Sequence, residues 1–139
     1  LNNKLKKRKK MENKKSLLEK LLKTNLLPLA FLGDSVHTLF VRENSLLKDD
    51  AKMASYNSFS SSKCKAQNQA FALKQIIDRL NEDELEIVRR ARNAKPKHHA
   101  KNSTSADYSF ATAYEALIGY LYLKEDQDRL IEFLNSSLE

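Results

Sequence analysis

The sequence predicts an all-α fold, and two observations carry that prediction. Only two glycines and two prolines, and no tryptophan, occur in 139 residues, so few positions resist helix formation. Apolar residues recur at three- and four-residue spacing and seldom alternate, which is the period of a helix laid on a core and not of a strand. The length suits one domain with a core of its own.

Taken in order, Lys4 to Lys10 is a basic low-complexity run, expected to be disordered. Leu17, Leu18, Leu21 and Leu22 give a first amphipathic turn or two. Asn25 is placed to cap the next helix, and Pro28 falls in its first turn, where a missing N–H costs little. From Leu27 to Val41 apolar residues surround the helix axis, which predicts a buried helix fading around Arg42 to Leu47. Asp49 and Asp50 offer caps for a short helix near Ala51 to Phe59. Ser60 to Ser62 are expected to break it and cap the next helix, Lys63 to Leu80, whose apolar face is Ala66, Ala70, Leu73, Ile76, Ile77 and Leu80. Asn81-Glu82-Asp83-Glu84 is a helix start, with acids at the positive end of a dipole whose negative end receives Arg89, Arg90 and Arg92. Pro96 interrupts the basic run that follows. Thr104-x-x-Asp107 has the form of a capping box and opens a second very apolar helix. Gln127 to Leu138 forms a last amphipathic helix. No internal repeat is visible.

Net charge is +7, unevenly spread: residues 1–23 hold ten Lys/Arg and two Glu (+8), and the rest fifteen and sixteen (−1). The basic excess is therefore an arm, residues 1–13, on a nearly neutral body, residues 14–139. Such an arm suits RNA or another polyanion; a solubilising tail is the plainer reading. The chain begins at Leu1, and either it is a fragment or Met11 is its natural start. A single cysteine, Cys64, excludes an internal disulfide and a cysteine-based zinc site, and fits a reducing compartment. No apolar run reaches the ~18 residues of a membrane span, and the arm lacks a signal peptide's apolar core. A soluble, cytoplasmic protein is expected, without a membrane partner.

The two most apolar helices each carry one acid and one glycine. Asp34 follows Gly33, and Glu115 stands one turn before Gly119. Ala30 and Thr38 flank Asp34 along its face, as Ala111 and Thr112 flank Glu115, so the helices could approach closely and bring the carboxylates together. A close pair of acids repels unless a cation joins it or one keeps its proton. Mg²⁺ takes oxygen ligands, usually one or two carboxylates, and keeps several waters; metal-assisted phosphodiester hydrolysis would follow. The plainer alternative is that each acid is structural and satisfied by arginine, serine or backbone donors. His37, His98 and His99 lack metal-ligand company and read as satisfied or solvent-facing histidines. From Ile87 to Ala106 there is no acid, so Arg89, Arg90, Arg92, Lys95, Lys97 and Lys101 are candidate phosphate contacts, or else a helix end and a solvated loop. Tyr114, Tyr120 and Tyr122 read as core.

Leu29-Ala30-Phe31-Leu32-Gly33-Asp34-Ser35-Val36 resembles the signature helix of ribonuclease III catalytic domains. Tyr114-Glu115-Ala116-Leu117-Ile118-Gly119-Tyr120-Leu121-Tyr122-Leu123 resembles their second catalytic helix. Arg90-Ala91-Arg92-Asn93-Ala94-Lys95 is similar to the basic segment of the Mini-ribonuclease III branch, which lacks a separate double-stranded-RNA-binding domain. Three motifs in order, covering roughly residues 27–138, are far more specific than one.

The resemblance implies a ribonuclease III-like helical bundle forming a homodimer, with Phe31 and Leu32 as candidate contacts. It implies Mg²⁺-dependent cleavage of double-stranded RNA that leaves 5′-phosphate and 3′-hydroxyl ends. Asp34 and Glu115 match the family's metal-binding, catalytic acids. Two further acids of full-length ribonuclease III are replaced, by Ala30 one turn before Asp34 and by Thr112 three residues before Glu115, a thinning that fits the short branch. The implied substrate is a ribosomal RNA precursor, that of 23S rRNA first, with a ribosomal protein as a candidate helper. Two rivals remain at this point: a non-catalytic RNA-binding protein of the same fold, and a helical protein-interaction module with a solubilising arm.

Overall fold

The computed structural model describes residues 2–48, 52–94 and 104–139. Asp49, Asp50, Lys95, Lys97, Lys101, His98 and His99 lie outside these. The described residues form seven α-helices: α1 (Asn2–Lys23), α2 (Leu27–Ser45), α3 (Met53–Cys64), α4 (Ala66–Ile76), α5 (Glu82–Asn93), α6 (Ser105–Lys124) and α7 (Gln127–Asn135). Single 3-10 turns at Ile77–Arg79 and Ser136–Leu138 follow α4 and α7. The all-α expectation holds, with no strand among the described residues.

Helix α6 is the hub. It touches α1, α2, α4, α5 and α7, and Ala113, Tyr114, Ala116, Leu117, Ile118 and Leu121 are sealed from solvent. Such all-round burial is what its sequence requires. Leu29, Leu73, Ile76, Ile87, Val88 and Phe133 complete the core from the surrounding helices. Tyr114 and Tyr120 are core residues as read, and Tyr122 packs at its margin.

Local signals set several boundaries as expected. The exception is α2, whose N-cap is Leu26 and not Asn25, although Asn25 Oδ1 accepts the Leu27 N–H (3.0 Å) beside it. The Asn81–Glu84 box is complete, each side chain accepting the other's backbone N–H at 2.9 Å. Thr104 accepts the Asp107 N–H (3.0 Å).

Three further expectations are corrected. Ser60 to Ser62 do not end a helix but lie inside α3; Ser62 donates back to the Phe59 carbonyl (2.8 Å), so its hydroxyl is satisfied within the helix. The break falls at Lys65, where the chain is extended (ψ 153°) and Asn68 donates to the freed Lys63 carbonyl (2.7 Å). The basic run Lys4–Lys10 continues α1 as helix, since lysine, leucine and arginine favour helix and neither glycine nor proline interrupts them. Finally, α2 is not buried all round. Leu29, Ala30, Gly33, His37, Val41 and Ser45 face inward, whereas Phe31 is 81% and Leu39 60% exposed.

Candidate active site

Helices α2 and α6 make the largest contact in the fold, and they cross backbone to backbone at their two glycines. A Cβ on Gly33 would fall 1.7 Å from the Glu115 carbonyl oxygen and 2.9 Å from the Gly119 nitrogen; one on Gly119 would fall 2.1 Å from the Leu29 carbonyl oxygen. No side chain fits at either position. The roughly 1 kcal/mol that each glycine costs its helix is offset by the closeness it permits.

The crossing brings the two acids together. Glu115 is largely withdrawn from water on α6, while Asp34 stands exposed on α2, not buried as its apolar neighbours suggested. Burial first, then a hydrogen bond and like charge from Asp34, push the Glu115 carboxyl from 4.5 up to about 9. An acid pair in this state favours a shared proton or a cation between its members. Among the described residues, no three His, Cys, Asp or Glu side chains are grouped for a metal, and the acids at the crossing are these two. They suit a hard cation that completes its shell with water. Asp34, Ser35, Thr38, Leu39 and Arg42 line an open cleft of about 400 Å³ beside them. Arg42 lies two turns from Asp34 on the same face and supplies a positive end to that cleft.

A closed polar cluster lies beneath the acids. Gln69 of α4 is 3% exposed, acts on the Glu115 carboxyl as a hydrogen-bond donor, and reaches His37 Nδ1 with its Nε2 (3.1 Å). The other ring nitrogen of His37, Nε2, meets Ser137 Oγ (2.9 Å). Tyr114 stands edge-on to the imidazole with centroids 5.3 Å apart and donates its hydroxyl to the Phe133 carbonyl (2.8 Å). His37 is fully buried; burial draws it from 6.5 down to about 4, against the pull of Asp34. It is the satisfied histidine that the sequence suggested. Cys64 also borders the site, 3.9 Å from Thr38 Oγ1, and burial pushes its thiol up, which makes it a poor nucleophile.

Two of the three arginines of α5 share one cleft and the third lies apart from it. Arg89 is exposed and tied to Glu86 (Nε–Oε2 2.9 Å). Arg89 and Arg90 both line a polar cleft with Thr24, Asn25 and Asn93, and Arg92 lies over the Phe110 ring, 4.2 Å from its centroid. Gln69, Arg42 and Cys64 were missed by sequence reasoning. Arg42 could have been found at i+8 from Asp34; Gln69 carries no local signal.

The Ribonuclease III domain family matches residues 27–126. Mini-ribonuclease 3 of Brevibacillus brevis is 40% identical over 82% of this chain and 85% of its own length. Mini-ribonuclease 3 of Staphylococcus aureus is 35% identical over 90% of this chain and 93% of its own. The crystal structure of a Fusobacterium nucleatum protein superposes with a TM-score of 0.74 at 32% identity, covering 81% of this chain and 89% of that one.

Proposed function

This chain belongs to the ribonuclease III family and is an endoribonuclease, and on that premise we propose that it cuts double-stranded RNA with Asp34 and Glu115 as its Mg²⁺-holding, catalytic pair. The observation that carries the reading is the Gly33–Gly119 crossing, which sets two acids side by side and leaves the Glu115 carboxyl pushed up by burial and by Asp34. Bound there, Mg²⁺ supplies charge against the phosphodiester and lowers the pKa of a water. The chain's part is to hold that charge with two carboxylates, to hold water against the exposed Asp34 oxygens, and to receive a phosphate near Arg42. The water oxygen bonds to phosphorus, the bond to the 3′ oxygen breaks, and that oxygen takes up a proton, leaving 5′-phosphate and 3′-hydroxyl ends.

Phosphate contacts are assigned to Arg89, Arg90 and Arg92 at the end of α5 and to Lys95, Lys97 and Lys101 beyond it. Ribosomal RNA precursors are the proposed substrate class, on the resemblance of the basic segment. The exposed Phe31 and Leu39 of α2 supply an apolar face for a second copy of the chain. Leu32, the other candidate contact, is partly buried against its own core. The catalytic unit is placed at residues 14–139. Lys14 ties α1 to the body through Glu125 (3.4 Å) and the Tyr122 ring (4.3 Å), and Leu18 enters the core. A cytoplasmic setting agrees with the lone cysteine, and no helix among the described residues is long and apolar enough to cross a membrane.

The test is incubation with long duplex RNA, with and without Mg²⁺, for the parent and Asp34→Asn. Fragments should form only with the parent and the metal, the variant losing orders of magnitude in rate while still binding RNA. Cleavage by Asp34→Asn at the parent rate overturns the assignment.

A further inference from the structure

We propose that Gln69 is a positioning residue for Glu115, held in its donor orientation by His37 and, through His37, by the C-terminal turn at Ser137. The proposal rests on the reading of Asp34 and Glu115 as the metal-holding pair and adds what fixes one of them.

The hydrogen-bond directions admit one consistent assignment. Ser137 Oγ donates to the Leu134 carbonyl (2.8 Å), which leaves it an acceptor toward His37 Nε2 (2.9 Å). The imidazole therefore carries its proton on Nε2, and Nδ1 is a bare acceptor for the Gln69 amide nitrogen (3.1 Å). With that nitrogen turned to the histidine, its second hydrogen is available to the Glu115 carboxyl, which Gln69 reaches as a donor. A flipped amide would set its oxygen against Nδ1, acceptor against acceptor. The neutral imidazole thus selects the amide orientation that serves a carboxylate.

The burial makes this selection strict. His37 is 0%, Ser137 1% and Gln69 3% exposed, so water does not substitute for a misdirected partner. The far end is anchored too: Asn68, beside Gln69 on α4, donates to the Ser137 carbonyl (3.0 Å), and Lys63 donates to the Leu138 carbonyl (3.3 Å). Four separate parts of the chain, α2, α4, α6 and the last turn, converge on one carboxyl. Asp34, exposed, has no such frame. The pair is asymmetric, with Glu115 met from beneath by Gln69 and Asp34 facing solvent.

Outer partners of metal-holding carboxylates typically change metal affinity or activity 10–100-fold when removed. The experiment measures Mn²⁺ binding without RNA, from the electron-paramagnetic signal of the free ion, alongside single-turnover cleavage and duplex RNA affinity in Ca²⁺. Gln69→Met keeps the side-chain length and removes the donor; Gln69→Asn keeps the amide and withdraws it by one methylene. Both should weaken Mn²⁺ binding about 10–100-fold and slow cleavage at limiting Mg²⁺, partly recovered by more metal, with RNA affinity unchanged. Folded Gln69→Met with parental Mn²⁺ affinity and cleavage overturns the proposal. Asp34→Asn is the control: if it too keeps parental Mn²⁺ affinity, the metal-holding pair is misassigned, whereas a drop there with none in Gln69→Met sinks only the role of Gln69. Should Gln69→Met fail to fold, Ser137→Ala decides the matter from the far end, with several-fold weaker Mn²⁺ binding expected and unchanged binding overturning the chain of contacts.

Discussion

Gly33 lies against the backbone of Glu115 so closely that a methyl group added to it would sit 1.7 Å from the Glu115 carbonyl oxygen. The obstacle is main chain, which cannot rotate aside. Gly33→Ala and Gly119→Ala must therefore push α2 and α6 apart, although alanine is the better helix former. Overpacking of a core costs about 1–3 kcal/mol where side chains can shift; here the upper end or beyond is expected. Chemical denaturation should show a destabilisation of about 3 kcal/mol or more, or no cooperative transition at all.

Stability should follow pH through two buried groups of opposite habit. His37 is depressed to about 4 when folded, so its contribution is complete above 6.5 and is lost as pH falls toward 4, a span of about 3 kcal/mol. Glu115 is raised to about 9, so its contribution is complete below 4.5 and is lost as pH rises toward 9. The metal-free protein should show a plateau between about 4.5 and 6.5, where the two slopes oppose, and decline on the alkaline side. Glu115→Gln should abolish the alkaline decline in thermal melts; a decline that persists would assign it elsewhere.

The same raised carboxyl predicts that metal uptake is an acid-releasing event. At pH 7 Glu115 holds its proton in the empty site, and a cation must displace it. Calorimetric Mg²⁺ titrations in two buffers of different ionisation enthalpy should report about one proton released per site. Equal heats in both buffers would count against Glu115 as a ligand.

Phe31, at 81% exposure, tests the assembly. Phe31→Lys should convert a dimer of about twice 16.0 kDa into a monomer at micromolar concentration without unfolding it, because the side chain supports nothing in its own core. Light scattering that finds the parent already monomeric removes the dimer from the proposed function.

Lys95, Lys97 and Lys101 test positioning apart from chemistry. Phosphate contacts carry no base information and are released by salt. Replacing all three with alanine should weaken binding equally on two unrelated duplexes and flatten the slope of log K against log[salt], by at most about 0.9 for each phosphate that is no longer neutralised. Single-turnover cleavage at saturation should persist. An unchanged slope would redirect the search to the basic half of α1.

What the sequence made legible was what is encoded within a turn or two. Asn81 with Glu84 and Thr104 with Asp107 are three-residue relationships, and each shows in the sequence. The paired oddities of an acid beside a glycine in an otherwise apolar helix were legible too, because each alone is unfavourable. Partners far apart were not: His37 meets residues 32 and 100 positions away. Glu84, read only as a capping acid, is buried against Arg129 of α7 (Oε2–Nε 3.0 Å). Although burial works against its charge, that guanidinium and the Asn81 N–H hold its carboxyl below the usual range. Asp34 was misjudged as buried because composition gives the apolarity of a helix but not which of its faces meets the core.

The glycine crossing also bears on the shape of the substrate. Adjacent residues of one helix turn pass from backbone contact at Gly33 to open solvent at Asp34, so Asp34 stands at the surface of a stiff joint with the more deeply set Glu115 just behind it. A single strand would need to be threaded or a base flipped to reach a recessed centre. If Asp34 and Glu115 are the reactive pair as proposed, a rigid rod can be laid across them intact, with its strands still paired and its curvature unaltered. Selection would then work by silhouette, through the spacing of phosphates along an A-form surface, and an irregularity such as a bulge would matter for how it lifts the rod from its bed more than for the letters it contains.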